Sequence, residues 1–374
     1  MYIDINVLQT VPASNLNRDE TGAPKTAIYG GVTRARVSSQ SWKHAMRQAF
    51  GKDIKNTNWL KGIRTMKNPQ LVKAAIQKLD NSIDDDKAML MALNVFKDGK
   101  IKTKDGKTAA MLMLSKRQIK ALAQLAVDHQ DAFAVKKISA LPTELKNELK
   151  GAFKDHNSAD IALFGRMVAD DPSLSVDAAA QVAHAISTHE IVPEFDYFTA
   201  VDDAKGTDED AGAGMIGTIE YDSSTLYRYA NVNIDELMYN LNSPDAAGKA
   251  LQSFIKSFVM SMPTGKQNTF ANRTVPQYVM VTVRPDTPVN LVSAFENPVT
   301  ADAGYVDPSI DALEAEYEKV DAFAEKPIAT YVLTTAKTSL TDDAVKTLPE
   351  LLSQIEEAVK PALEEGADDE DLNN

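Results

Sequence analysis

The chain contains no cysteine in 374 residues, which excludes disulfides, thiolate nucleophiles and cysteine-ligated zinc together. That composition suits a reducing compartment, and cytoplasmic localisation is the expectation. Long apolar runs are also missing: no window reaches the roughly 18 uninterrupted apolar residues of a membrane span, so no membrane partner is expected. Neither G-x-G-x-x-G nor G-x-x-x-x-G-K-[ST] occurs, and Gly30-Gly31 is too short for a nucleotide-binding loop, which leaves a phosphate-loop site unsupported. The opening MYIDINVLQT alternates like a strand and carries Asp4 without a basic leader, so neither a signal nor a transit peptide is expected. Five histidines remain as soft ligands. His184 and His189 fall on an Ala-rich segment, Asp177 to His189, that reads as a helix; five residues there separate two side chains by about 140°, not the shared face of a zinc-binding i, i+4 pair. No metal and no cofactor is expected. The carboxylates stand in runs rather than as spaced pairs in apolar settings, so no tuned acid–base couple is visible.

What is present is ordinary globular usage, 44% hydrophobic and 25% charged, in a chain long enough for one large or two ordinary domains. The net charge is −13, which by itself opposes binding to a polyanion. Its distribution argues the other way. Between Gly22 and Lys52 stand six basic residues (Lys25, Arg34, Arg36, Lys43, Arg47, Lys52) and no Asp or Glu. Acid is concentrated at Asp84 to Asp86, Asp202 to Asp210 and Glu364 to Asp371.

Periodicity organises the chain. Ile3, Ile5 and Val7 alternate with Asp4 and Asn6, predicting a half-buried strand before a polar loop at Ser14 to Thr21. A β-branched stretch, Val32 to Val37, leads to Ser38 and Ser39, which are good N-caps. On the following helix Trp42, Ala45, Met46, Ala49 and Phe50 share one face, and Gln40, Lys43, His44 and Arg47 form a basic stripe on the other. Helices are predicted at Pro69 to Leu79, Asp86 to Phe96, Lys116 to Val135 and Thr143 to Phe153, with a loop at Asp98 to Thr108; together they read as a helical insertion. Phe195, Tyr197, Thr199 and Val201 alternate, an acidic Gly/Ala loop follows, and Met215 to Tyr221 alternates again, as in a projecting hairpin. Its apolar residues point to both faces, Tyr197 opposite to Phe198, so a neighbouring protein, stacked bases or its own domain must cover them. Thr225 to Ile234 and Tyr278 to Val283 read as further strands, Ser243-Pro244 opens a helix, and helices are predicted at Pro308 to Ala324 and Pro349 to Leu363. The expected class is α+β, a ferredoxin-like or RRM-like sheet with helices on one face. No repeat of 20 to 50 residues marks a solenoid.

The segments Leu16-Asn17-Arg18-Asp19, AIYGGVTRARVSSQSWKHAMR (27–47), DIALFGRM (160–167), AHAISTH (183–189), FDYFTAVDD (195–203), YRYANVN (227–233) and PTGKQNTFA (263–271), in this order, resemble the CasC-type backbone subunit (RAMP superfamily) of type I-E CRISPR Cascade. The likeness thins between about 56 and 157 and after 308. It implies an RRM-like palm, a helical fingers insertion and a projecting β-hairpin thumb: residues 1–55, 159–190 and 225–374 for the palm, with its acidic tail, 56–158 for the fingers and 191–224 for the thumb. It further implies a non-catalytic subunit polymerising along guide RNA, with target DNA, further copies of itself and other Cascade subunits as partners. By the same likeness Arg18, Lys25, Ser38, Gln40, Lys43, His44 and Arg47 hold the RNA backbone, Met167 packs against displaced bases, and Phe198, Thr199, Val201 and Ile216 are thumb residues wedged into the guide. Val32 and Thr33 depart from a more basic family pattern. Two rivals remain: an RNA endonuclease of the same superfamily using Asp19 or His44, and a generic RNA-binding scaffold.

Overall fold

The computed structural model describes residues 1–52, 57–135, 140–200 and 215–371. The chain forms two compact units: Met1–Met46 with Val182–Asn231 and Phe254–Ala358, and Arg47–Gln181 with Val232–Ser253 and Val359–Asn374.

The first unit is built on a sheet whose strands lie in the order Ala344–Val345, Ala329–Thr334, Tyr278–Arg284, β1 (Tyr2–Ser14), Met215–Asn233, Ala185–Ser187, β3 (Val32–Val37) and β2 (Thr26–Tyr29). β1 pairs antiparallel with Tyr278–Arg284, Asp4 opposite Thr282, and is central. The half-buried strand expected from its alternation is corrected here. Asp4 and Asn6 are each only 1% exposed, because the helix Val306–Val320 and the turn Leu291–Phe295 cover that face through Leu8, Tyr227, Tyr229, Ile310 and Leu313. The opposite face carries Arg228, set 3.8 Å over the Trp42 ring and 4.6 Å over Phe258. Helices therefore cover both faces rather than one.

Local propensity decides some elements and tertiary pairing overrides it in others. Helix α1 (Ser39–Lys52) follows its amphipathic pattern, with Trp42, Met46 and Phe50 at most 2% exposed. The Ala-rich segment before His189 is not a helix. It forms Ala180–Val182 and Ala185–Ser187, the latter held between Leu226–Tyr227 and Arg36–Val37. Two predicted strands also fuse: Met215–Asn233 is one strand of 19 residues, continuous through Asp222-Ser223-Ser224.

In the second unit, Asn68–Leu79, Asp85–Asp98, Lys116–Asp128 and Thr143–Lys154 are helices around Val72, Ile76, Met91, Val95, Leu122 and Phe153. Asp84 caps one, accepting from Lys87 N at 2.8 Å, and Ser115 with Gln118 closes a capping box on another. The third predicted helix stops earlier than expected, at Asp128, and a separate turn of helix follows at Gln130–Phe133. The expected loop at Asp98 to Thr108 contains a small hairpin, Thr103–Lys104 with Lys107–Thr108.

Candidate nucleic-acid interface

The predicted basic segment separates into interior and surface cations. Arg34 is fully buried: Nη1 donates to Ser187 O at 2.9 Å, Nη2 to Phe295 O at 2.8 Å and Nε to Tyr29 O at 3.2 Å. It is a sheet fastener rather than part of a phosphate site. Lys25 and Lys43 are half-buried, and Arg18, Gln40 and His44 are exposed. Burial of its stem lowers the Lys43 ammonium below the usual lysine range. Among the described residues no ion pair engages Arg18, Lys25 or Arg36.

Asn17 joins these positions. Its Oδ1 accepts from Ser38 N at 2.9 Å, and its carbonyl accepts from Lys25 N at 2.8 Å, so the loop after β1 is fastened to the start of α1. Ser38 caps that start: its carbonyl accepts from Ser41 N at 3.0 Å and its hydroxyl from the same N–H at 3.4 Å. No acid stands in the first turn of α1, which leaves the positive end of the helix without a local counter-charge. Behind the loop, Gly265 packs so closely that a Cβ there would stand 2.2 Å from Leu16 O. Backbone contact of this kind explains why glycine occupies the third position of PTGKQNTFA.

Asp19, a suspect in the endonuclease reading, is occupied by its own turn. Oδ1 accepts from Thr21 Oγ1 at 2.7 Å, Thr21 N at 2.8 Å and Ala23 N at 3.1 Å. These bonds, the Thr21 hydroxyl first, hold its carboxyl below the usual range. The two histidines likewise serve structure. His184 Nδ1 accepts from Arg36 Nη1 at 3.2 Å, and burial followed by the charges of Arg36 and Lys25 lowers its pKa. His189 stacks on Tyr305 at 3.7 Å and its Nε2 accepts from Thr225 N at 3.1 Å. Among the described residues no cluster of three or more metal-ligating side chains occurs, and no helix is long and apolar enough to cross a membrane.

The hairpin pairs Glu194–Ala200 with Met215–Tyr221, Phe198 facing Gly217 and Thr199 facing Ile216. Phe198 lies across Gly217, where a Cβ would meet its ring at 2.4 Å. On the other face Phe195, Tyr197 and Ile216 are 67%, 63% and 61% exposed, so the described residues leave the apolar arm uncovered. Val201, expected among the thumb residues, lies outside the described residues.

Two predicted positions belong to the second unit. Arg47 is committed to structure: Nε donates to Asp160 Oδ2 at 2.9 Å. Asp160 is fully buried and also accepts from Gly62 N at 2.8 Å and Ser158 Oγ at 2.6 Å. Met167 is 84% exposed on a firm base, because the adjacent Arg166 is 5% exposed and bonds Phe153 O, Leu174 O and Met113 O.

One residue of the first unit escaped the sequence reading. Asp222 lines a small open groove with Ser14, Asn17, Lys25, Arg36 and Ser224. It is 7% exposed, and burial, then the charge of Glu220, pushes its carboxyl up to about 6. Within the polar run Tyr221-Asp222-Ser223-Ser224 nothing distinguishes it from a solvated turn residue.

The family of CT1975-like proteins matches residues 3–360. A chain of a "CRISPR RNA-guided surveillance complex, pre-nicking" superposes with a TM-score of 0.79 at 32% identity, covering 96% of this chain and 100% of that one. A second, from a "CRISPR RNA-guided surveillance complex", gives 0.72 at 29% identity with the same coverages. No curated protein matches. A family match and two superpositions that run nearly end to end, added to the order of motifs, place the chain in the CT1975-like protein family, the Cas family whose Cascade backbone subunits its motifs resemble.

Proposed function

We propose that this protein is a non-catalytic backbone subunit of a type I-E Cascade, which polymerises along guide RNA and presents it for pairing with target DNA in antiviral defence. The observation that carries the reading is the uncovered apolar arm of the first unit, Phe195, Tyr197 and Ile216, in the same unit as Arg18, Lys25 and Arg36, which no ion pair engages among the described residues. An apolar arm needs another surface to cover it, and a further copy of the chain together with splayed guide bases provides one. Arg18, Lys25, Lys43 and His44 take the phosphates without reading sequence, and the backbone amides at the start of α1 add oriented N–H groups. Base pairing then supplies sequence specificity. The palm, fingers and thumb division belongs to this reading, with Phe198, Thr199 and Ile216 at the arm and Met167 against displaced bases. Asp19 has its acceptor oxygen committed to three local donors, which supports the non-catalytic assignment over the nuclease one.

The test is binding of the full chain to a guide-length RNA across a salt series. Arg18→Glu with Lys25→Glu is the informative pair, because neither side chain has an ion pair among the described residues, whereas Arg47→Glu strands the buried Asp160. The double variant is expected to weaken binding at least tenfold at moderate salt and to flatten the salt slope. An unchanged slope contradicts the assignment.

A further inference from the structure

We infer that Asp222 is a specificity-determining residue that accepts a hydrogen bond from a ribose 2′-hydroxyl in the groove bordered by Lys25 and Arg36, so that the groove selects ribonucleotides over deoxyribonucleotides. The inference rests on the guide-RNA reading above and adds to it the group that tells RNA from DNA.

Asp222 as a residue is more than nine-tenths buried, yet among the described residues no donor bonds its carboxylate and no cation pairs with it. That is unusual in this protein, where Asp4, Asp160 and Glu314 each take several donors. A buried carboxylate left without donors is costly, and each such group in a folded protein asks for an explanation. Asp222 borders the groove, so a bound molecule can supply the missing donor.

The groove's chemistry narrows what that molecule is. Lys25 and Arg36 line it, and the Arg36 guanidinium is turned to Thr26 O at 2.9 Å and His184 Nδ1 at 3.2 Å rather than to Asp222. An anion is therefore attracted to the cations, while Asp222, an acceptor without protons when ionised, demands an O–H or N–H. A nucleotide carries both groups. Of its donors, base N–H groups vary with sequence, and a subunit that holds arbitrary guides cannot depend on one. The 2′-hydroxyl recurs at every ribose and is the group by which proteins distinguish RNA from DNA. With DNA, the carboxylate faces a phosphodiester with no donor between them, so discrimination has both an attractive and a repulsive part.

The experiment compares the full chain and its Asp222→Asn and Asp222→Ala variants, each binding one guide-length sequence as RNA, as 2′-fluoro RNA and as DNA. The 2′-fluoro strand keeps the ribose-like pucker and lacks the donor. The wild type is expected to favour RNA over 2′-fluoro RNA by about tenfold or more, the range of one charge-assisted hydrogen bond. Asp222→Ala is expected to collapse that ratio to about one while binding 2′-fluoro RNA at least as well as the wild type does. A ratio unchanged by Asp222→Ala overturns the inference, as does a variant that loses RNA and 2′-fluoro RNA equally. A ratio that appears with one base sequence and vanishes with another assigns the donor to a base and overturns the ribose assignment. Wild-type protein that binds none of the three strands overturns the guide-RNA reading itself. Asp222→Asn removes a buried unpaired charge and is expected to fold at least as stably as the wild type, which keeps the comparison measurable if the alanine variant fails to fold.

Discussion

Two buried carboxylates of the first unit invite comparison. Asp4 and Asp222 are both pushed up to about 6, chiefly by burial. At Asp4 the surroundings answer: Tyr229 OH donates at 2.6 Å, Val289 N at 2.9 Å and Arg284 Nε at 3.1 Å. At Asp222 no described residue answers. Similar desolvation thus serves opposite ends. Asp4 anchors β1, the strand Tyr278–Arg284 and the loop at Val289 through one side chain, whereas Asp222 stays chemically unfinished beside a groove. A raised carboxyl pKa alone does not mark a functional site; the inventory of donors around it separates fastener from candidate contact.

The largest effect that separates the two is expected from Asp4→Ala. It leaves the Arg284 guanidinium, 1% exposed, without its counter-charge and removes the acceptor of Tyr229, a loss of about 3–5 kcal/mol in urea unfolding. A loss under about 1 kcal/mol breaks the contrast. Next in size, and opposite in sign, is Asp222→Asn. The folded-state pKa of about 6 lies above the unfolded value near 3.9, so ionisation penalises the folded state. Wild-type stability relative to the variant is greatest below about pH 4 and falls as pH rises through about 6. The variant is then expected to gain up to about 3 kcal/mol at pH 7.5, an advantage absent at pH 4. Thermal unfolding of both proteins across that range checks the sign. The smallest effect is on stability in Lys25→Met: within about 0.5 kcal/mol of wild type, as for an unpaired surface cation. Its consequence is in binding, where the salt slope for RNA drops by about one contact.

How much of this was legible in the sequence depended on how local each cause is. The amphipathic helix α1, its Ser38 start and the projecting hairpin are written in neighbouring residues, and they stand where periodicity puts them. The polar face of β1 was misread because its partners are distant in the chain: Asp4 meets Arg284, and Asn6 accepts from Tyr227 OH at 2.7 Å. Alternation shows that two faces differ, not that the polar one is solvated. The Ala-rich strand before His189 failed for the same reason, since the strands on either side of it are set by tertiary pairing. Charge counting could not tell Arg34, sealed against three carbonyls, from Lys25 nine residues earlier. Of the candidate site, the cations and the arm were readable, while Arg47's commitment to Asp160 and the isolation of Asp222 needed the fold.

The most direct test of the central claim is native mass spectrometry of the full chain purified from cells that also express its neighbouring genes and a CRISPR array, with sequencing of any bound RNA. The account predicts an assembly with several copies of this chain on a single guide RNA of uniform length and array-derived sequence. Monomers without RNA, or copies bound to RNA of mixed length and origin, contradict it.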